Sequence, residues 1–253
     1  MTDALATQAP ANLPAFLQDQ QGPALGGEKV DSADLRPPRL VICQSMTPQR
    51  KRTDPNYIPG LDENQMFNSL SGEIYGEGPL TFTPVKFLGK RAIEFADPED
   101  GGGVVDPAVP LTDPRCQFTV DPANPRKRVP PVATIFHDFL FLLLLPDGRT
   151  EPIAVSMKGS QTKVAINFTS MLNLTGRTWF ERLYEIRVVS ETSNGNTYGN
   201  FKITTKRNED GSLAYVDEAT YHLAGRIHDQ FSAQKVVLDA EAPPRESDEE
   251  IPY

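Results

Sequence analysis

Residues 132–145 are the most apolar stretch of this chain, and they restrict its fold more than any other segment. Its uninterrupted apolar part runs from Phe139 to Leu145 and stops at Pro146. This run is far shorter than the ~20 residues that a membrane-spanning helix needs. A turn-forming sequence, Pro146-Asp147-Gly148-Arg149, and a second β-type run at 151–157 follow directly. This order of apolar run, turn and return run predicts a buried β-hairpin.

Five further runs have the alternation or composition of strands, and two have helical spacing. The predicted strands are residues 39–44, 80–87, 91–95, 179–189 and 198–205. Gly89-Lys90 predicts a turn between the second and third runs, and Pro84 predicts an edge position or a bulge. The predicted helices are residues 160–172, with Ser160 as N-cap, and a segment within 217–238. Residues 96–131 are expected to be a long irregular connection that is functional or disordered.

The pattern of elements predicts the fold class. The 18 glycines and 23 prolines favour many turns and short strands over a helical bundle. About seven strands, with one helix between strand pairs and another at the end, predict a mainly β (α+β) protein. The expected architecture is an OB-like β-barrel with long loops, one central helix and one C-terminal helix. The expected division is a disordered N-terminal arm at 1–36, the OB-like domain at 37–238 and a disordered acidic tail at 239–253.

Negative charge is concentrated at the two ends of the chain, whose net charge is −9. Residues 1–34 and 241–253 each carry five acids and one base, which leaves the body between them near neutral at −1. The acidity of the whole chain therefore does not exclude a polyanionic ligand for the body. Cys43 and Cys116 fit no metal or redox spacing, and residues 1–14 lack the features of a signal peptide. A cytoplasmic protein without cofactor, metal or membrane contact is expected.

The C-terminal tip joins acids, a branched apolar residue, a proline and an aromatic residue in the order Asp248-Glu249-Glu250-Ile251-Pro252-Tyr253. Ile251 and Tyr253 would fill a small apolar pocket on a partner while the acids steer the approach. The alternative is a solvated acidic tail that only keeps the protein soluble. The tip resembles that of bacterial single-stranded-DNA-binding proteins, which ends acid-acid-Ile-Pro-Phe, with Tyr253 in place of Phe. This resemblance implies that the tip recruits replication or recombination proteins.

The body resembles a family of uncharacterised phage proteins over roughly residues 35–205. The stretches that carry the resemblance are Pro38-Arg39-Leu40, Thr47-Pro48, Phe67-Asn68-Ser69, Gly72-Glu73-Ile74-Tyr75-Gly76, Gly101-Gly102-Gly103, Ser156-Met157-Lys158-Gly159-Ser160-Gln161 and Tyr198-Gly199-Asn200-Phe201-Lys202. The resemblance implies a phage-encoded protein that acts in the cytoplasm of the bacterial host.

Cations and aromatic rings are interleaved on the predicted strands in a way that suits single-stranded nucleic acid. Such a ligand needs cations along its phosphates and flat rings for its unstacked bases. The candidates on the strands are Lys86, Phe87, Lys90, Arg91, Trp179, Tyr198, Phe201, Lys202 and Lys206. Phe82 and Phe87 have opposite strand parity, so one of them points outward unless a bulge intervenes. The alternative for each ring is a place in the core, the commoner position of an aromatic residue on a strand.

Further cations are predicted outside the strands. Two basic triplets lie in predicted loops, where they would close over a bound strand: Arg50-Lys51-Arg52 and Arg126-Lys127-Arg128. Lys158 and Lys163 flank the start of the first helix and would contact phosphate beside its free backbone N–H groups. The alternative for Lys158 and Lys163 is that they are ordinary solvated lysines without a ligand.

Enzyme signatures are weak. Gly101-Gly102-Gly103 is not followed by the Lys and Ser/Thr of a phosphate-binding loop, and no serine or cysteine lies in a nucleophile motif. Three histidines are scattered: His137, His222 and His228. His137 lies in the apolar strand, where a core histidine is expected. A metal-dependent nuclease of a recombination module stays as an alternative, and its candidates are Asp138, Asp147, Glu151 and Lys158.

These features together predict a protein that is not an enzyme and binds single-stranded DNA without strong sequence preference in phage replication or recombination. Its tail would recruit partner enzymes, and would also occupy the basic groove when DNA is absent. Besides the nuclease, a second alternative is an interaction adaptor that uses the tail without binding DNA. The sequence leaves the oligomeric state open, a homodimer included.

Overall fold

A computed structural model describes residues 37–97, 102–193 and 195–233. The expected N-terminal arm and acidic tail lie outside these residues. The described part is mainly β, with eleven strands and two α-helices. The strands are β1 Leu40–Ile42, β2 Met66–Asn68, β3 Ile74–Gly76, β4 Leu80–Phe95, β5 Val104–Val109, β6 Thr119–Asp121, β7 Asn124–Val129, β8 Ala133–Leu144, β9 Thr150–Met157, β10 Tyr184–Ser193 and β11 Asn196–Thr205. The helices are α1 Thr162–Leu174 and α2 Glu218–Ala233.

Three sheets are formed. Six strands make the large antiparallel sheet, in the order β11-β10-β4-β8-β9 with β5 paired to the second half of β4. The strands β1, β2 and β3 make a second sheet, and β6 and β7 make a third. The described strands form no closed barrel. The structure therefore shows the mainly β class and the two helices of the expected fold, with open sheets in place of a closed barrel.

The segment around β1 lies between the two edge strands of the large sheet. The backbone N–H of Ala154, in β9, donates to the carbonyl oxygen of Pro38 at 2.8 Å. At the other end of this segment, the side-chain amide of Gln44 and the backbone of Gly199, in β11, exchange two hydrogen bonds of 2.8 and 3.0 Å. Residues 38–44 therefore fasten both edges of the large sheet.

The predicted apolar hairpin is confirmed as β8 and β9. Their register runs without a shift from His137 opposite Met157 to Leu144 opposite Thr150. Gly148 has a φ of 84° in the connecting turn, a conformation that glycine adopts without strain. Because β8 also pairs with β4, it lies inside the sheet and its apolar side chains are buried on both faces.

One continuous strand, β4, replaces the two strands and the turn that residues 80–95 predict. Its pairing with β8 shifts between Pro84 and Lys86 and again just before Gly89. Gly89 has a φ of 126°, so the glycine accommodates a bulge within the strand rather than a turn. The bulge that Pro84 predicts is confirmed.

The helix α1 covers one face of the large sheet and confirms the predicted central helix. The ring centroid of Phe168 lies 5.8 Å from those of Phe139 and Phe141 and 5.4 Å from that of Tyr184. The predicted N-cap is wrong: Ser160 lies in a 3₁₀ turn before the helix, and no side chain caps α1.

The helix α2 confirms the predicted C-terminal helix and covers part of the opposite face. Its Ala224 and Ile227 pack against Leu140 and Leu142 of β8. Because side chains alternate along a strand, this face also carries the other even-numbered residues of β8. We call the face of β4, β8 and β9 on which α2 lies the outer face. Neither helix in the described ranges is long and apolar enough to cross a membrane.

Two predictions, one of an irregular connection and one of a strand, are wrong. Residues 96–131 are not an irregular connection, because they contain β5, β6 and β7. Most side chains of these strands are exposed, so their sequence has no apolar alternation that marks a strand. The strand predicted at 179–189 begins at Tyr184, since Trp179–Glu181 form a 3₁₀ turn.

Candidate nucleic-acid interface

The hairpin β6–β7 carries the second basic triplet on an exposed arm. All six residues of β7 are exposed, Arg126, Lys127 and Arg128 included. Val120 pairs with Arg128, and the register then shifts before the pair of Asp121 with Asn124. Lys127 makes one ion pair within the hairpin, at 3.5 Å from Asp121. The arm therefore offers three cations to solvent.

Apolar side chains accompany these cations. Phe118, immediately before β6, is 64% exposed. Seven of the twelve large apolar side chains that are exposed in the described residues lie between 104 and 132. They are Val104, Val105, Leu111, Phe118, Val120, Val129 and Val132. Exposed apolar side chains are therefore concentrated in the part of the sequence that contains the basic hairpin.

A second set of charged side chains lies on the outer face of the large sheet, on the half that Leu140 and Leu142 do not occupy. The Nε of Arg91, in β4, donates to Oδ2 of Asp138, in β8, at 2.8 Å. The guanidinium carbon of Arg91 lies 4.4 Å from the ring centroid of Phe136. Arg91 pairs with Phe136 across the two strands, which explains why cation and ring stack.

Lys158 adds a second cation to the same ring. It directly follows β9, and its Nζ lies 5.1 Å from the ring centroid of Phe136 and 5.9 Å from that of Phe95. Arg91 and Lys158 thus both lie within 5.1 Å of one aromatic ring centroid. The structure brings together two predicted cations that are far apart in the sequence, and it places two phenylalanines with them.

The predicted aromatic platforms are mostly core residues. Phe201 is 3% exposed and belongs to the main core, so it cannot receive a base. Phe87 is half-buried, with its ring centroid 5.1 Å from that of Phe139. The bulge in β4 places Phe87 on the same face as Phe82, so neither of the two rings has the outward position that alternation without a bulge would give one of them. Trp179 is also half-buried against this core, and Tyr198 is half-exposed.

Besides Arg91, two of the predicted strand cations have partners within the fold. The Nζ of Lys86 donates to the carbonyl oxygen of Phe231 at 3.1 Å and to Oγ of Ser232 at 2.7 Å. The Nζ of Lys206 donates to Oγ1 of Thr81 at 2.7 Å. These lysines connect elements of the fold, because Lys86 binds the last turn of α2 and Lys206 binds β4.

Other predicted cations are open to solvent. Lys90, Lys163 and Lys202 are all exposed. Lys202 pairs across the β10–β11 hairpin with Arg187, which is also exposed. Arg187 and Lys202 therefore form a positive patch on the β10–β11 hairpin.

The first basic triplet is only partly available. Arg50 donates through Nη1 to Oε1 of Glu63 at 2.7 Å and to the carbonyl oxygen of Ser45 at 3.1 Å. Lys51 and Arg52 are exposed. Arg50 thus holds its own loop together, in contrast to the open triplet on β7.

The carboxylates of the nuclease alternative are not assembled into one site. Asp138 lies on the outer face with its arginine partner. Oδ2 of Asp147 accepts a hydrogen bond from Nε of Arg149 at 2.6 Å, and Oε2 of Glu151 accepts one from the Tyr75 hydroxyl at 2.7 Å. Within the described part of the chain, no group of three or more His, Cys, Asp or Glu side chains is arranged to hold a metal ion.

His137 is a core histidine, as its place in the apolar strand predicts. It is buried in β8, and its pKa lies below the ordinary value because burial disfavours the charged ring and the nearby Lys90 repels it. The charge of Asp138 acts in the opposite direction and is the smallest of the three effects.

A groove of about 310 Å³ beside the start of α2 is a surface feature that no pattern in the sequence marks. Tyr215 and Tyr221, both exposed, line it together with Arg177 and Glu181. The guanidinium of Arg182 lies 5.8 Å from the Tyr215 ring centroid. Tyr215 lies in a loop and Tyr221 in the first turn of a helix, where no strand pattern could mark either ring.

The fold and its surface define a mainly β protein with an exposed basic hairpin. The chain belongs to the family described as Pam3 phage gp34-like protein, whose model matches residues 6–237. This match confirms the predicted phage origin. The description of the family names no ligand. No curated protein matches the chain, and neither does any solved structure.

Proposed function

We propose that this phage protein binds single-stranded DNA without strong sequence preference, in phage replication or recombination in the host cytoplasm. The observation that carries the proposal is the β6–β7 arm, on which Arg126, Lys127 and Arg128 are exposed, with Phe118 exposed immediately before β6. Cations for phosphates beside an open ring for a base are the two components that such binding needs.

The order of the strands supports an OB-like reading of the large sheet. An OB domain has five strands in the spatial order 5-4-1-2-3, with a helix between the third and fourth. Taking β4, β8, β9, β10 and β11 as strands one to five gives this order, and α1 lies between β9 and β10. In an OB domain the third and fifth strands approach each other to close the barrel. Here residues 38–44 bond to both of the corresponding strands, β9 and β11.

This reading also gives the arm a position that suits DNA. The β6–β7 hairpin belongs to the connection between β4 and β8, the first and second strands of the OB order. OB domains use this loop, and the face of strands two and three, to bind oligonucleotides. The corresponding face here is the outer face with Arg91 and Lys158. The strand of DNA would run from the arm across this face.

The proposed roles follow from exposure and charge. The cations of the arm neutralise phosphates, and Phe118 stacks on one base. Lys90 and Lys202 are exposed cations that extend the positive surface. Lys86 and Lys206 hold the fold together rather than the ligand, because their ammonium groups are bound to other elements.

The acidic tip, Asp248-Glu249-Glu250-Ile251-Pro252-Tyr253, is proposed to recruit replication or recombination proteins. Its resemblance to the tip of bacterial single-stranded-DNA-binding proteins supports this role. The segment lies outside the described residues, so its role rests on the sequence alone.

Titration of a fluorescein-labelled dT oligonucleotide with the full chain tests the proposal. The variant with Arg126, Lys127 and Arg128 all changed to Ala is expected to bind at least tenfold more weakly. The matched control is Arg126→Lys/Arg128→Lys, which keeps three positive charges and is expected to bind like the wild type. Equal affinity of the wild type and the triple alanine variant would overturn the role of the arm. Absence of binding by the wild type would favour the adaptor alternative.

A further inference from the structure

We propose that Arg91 and Asp138 form a base-selective subsite on the outer face, which binds the edge of one guanine or cytosine in a single strand. This inference rests on the proposed function, because it assigns a base to a position along the proposed path of the DNA. It goes further by giving a preference to a protein that otherwise binds strands of any sequence.

The subsite is built from neighbouring strands. Arg91 in β4 and Asp138 in β8 are joined by the bond between Nε and Oδ2, at 2.8 Å. Ser156, in β9, is paired with Asp138 across the strands. Phe136 lies beneath the guanidinium of Arg91, with a distance of 4.4 Å from the guanidinium carbon to the ring centroid. Polar groups from three strands are thus neighbours on the outer face, and one of them lies over an aromatic ring.

The hydrogen-bonding capacity of these groups is largely unused. Nη1 and Nη2 of Arg91, Oδ1 of Asp138 and Oγ of Ser156 are buried and have no hydrogen-bond partner. They are four of the seven buried side-chain atoms without a partner in the described residues. Folded proteins leave few such atoms unpaired, because each costs the desolvation of a polar group. Four of them in one place point to an occupant that supplies their partners.

The pattern of free atoms indicates a base edge rather than a phosphate. A phosphate offers only acceptors, and it would bring negative charge against the free oxygen of Asp138. The Arg91–Asp138 pair presents two donor nitrogens and one acceptor oxygen. Its complement is an edge with two adjacent acceptors followed by a donor.

Two of the four bases have such an edge. Guanine presents N7, O6 and then N1–H, and cytosine presents O2, N3 and then the N4 amino group. Adenine and thymine alternate acceptors and donors, so neither offers two adjacent acceptors to the guanidinium. The pair therefore favours guanine or cytosine over adenine and thymine.

A base reaches the pair from the side of Arg91. The Arg91 side chain is 19% exposed, whereas that of Asp138 is only 5% exposed. The base edge therefore meets the guanidinium first, where it lies over the ring of Phe136.

The test compares oligonucleotides that share a dT background and differ in three central bases. The wild type is expected to bind the dG or the dC insert about tenfold more tightly than the dA insert or plain dT. Comparison of the dG insert with the dC insert shows which of the two bases the subsite binds. Asp138→Asn is expected to abolish this preference, because the amide presents a donor in place of the free acceptor oxygen.

Arg91→Lys provides a second variant, which keeps the positive charge over Phe136 and removes the two-nitrogen fork. It is expected to lose the preference as well, and circular dichroism and thermal unfolding show whether each variant is folded. Salt-dependent binding of plain dT by a wild type without any base preference would overturn the subsite and leave the proposed function intact. That result would assign the four free atoms to buried water. If the wild type bound no oligonucleotide, both proposals would fail.

Discussion

The ammonium group of Lys86, in the middle of β4, donates to the carbonyl oxygen of Phe231 in the last turn of α2, at 3.1 Å. A cation at this end of a helix satisfies a free carbonyl group and complements the negative end of the helix dipole. Lys86 therefore holds α2 against the outer face, although its position among aromatic residues predicts a phosphate contact.

Removal of this ammonium group is expected to destabilise the fold. Lys86→Met keeps most of the apolar stem and loses both hydrogen bonds to α2, so the free energy of unfolding should fall by about 1–2 kcal/mol. Urea unfolding followed by circular dichroism measures the change. The control is Lys90→Met, an exposed site where a change within ~0.5 kcal/mol is expected. Equal effects at the two sites would mean that Lys86 does not fasten α2.

Two phenylalanines are expected to give opposite results when they are changed to Ala. Phe201 is buried, so Phe201→Ala should lower the free energy of unfolding by about 3–5 kcal/mol. Phe118 is exposed, so Phe118→Ala should leave stability within ~0.5 kcal/mol and weaken oligonucleotide binding by about 1–3 kcal/mol. Thermal unfolding and fluorescence titration of the same samples check both. Unchanged DNA affinity of Phe118→Ala would remove this ring from the interface.

Stability is expected to fall as the pH is lowered through the range where histidine titrates. The folded state depresses the pKa of His137, mainly by burial and further by Lys90. The unfolded chain takes up a proton near the ordinary pKa of about 6.5, so protonation favours the unfolded state below that pH. His137→Gln removes this contribution. The difference in unfolding free energy between pH 7.5 and 5.5 should therefore be smaller in the variant than in the wild type, and an equal difference would refute the role of His137.

Deletion of residues 241–253 is expected to separate the two activities of the proposed function. The shortened chain should bind DNA more tightly, because five acids and one base leave with the tail and the polyanion no longer competes for the basic surface. When it is used as bait in a pull-down, it should also fail to retain the replication or recombination proteins that the full chain retains. Unchanged DNA affinity would remove the idea of self-competition and leave recruitment by the tip unaffected.

The elements with a strong local signal could be predicted from the sequence, and those set by contacts between distant residues could not. The β8–β9 hairpin follows from an apolar run with a turn, and α1 and α2 follow from helical spacing. The orientation of Phe87 depends on a bulge in β4, which inverts the alternation beyond it. The strands β6 and β7 have no apolar alternation, because both faces of the arm are exposed.

The candidate site shows the same division. The triplet Arg126-Lys127-Arg128 is visible as a local charge cluster, and the structure leaves it exposed. The pairing of Arg91 with Asp138 joins residues 47 positions apart, so only the register of β4 with β8 reveals it. The partner of Lys86 is 145 positions away, and no pattern around the lysine indicates that it binds a helix.

The dependence of oligonucleotide affinity on salt concentration tests the central claim most directly. If the exposed arm neutralises phosphates of a single strand, log K should fall linearly with log salt, by about 0.7 for each phosphate contacted. The triple alanine variant at Arg126, Lys127 and Arg128 should have a slope shallower by about 2. The same slope in both proteins, or a wild type whose binding does not respond to salt, would contradict the account.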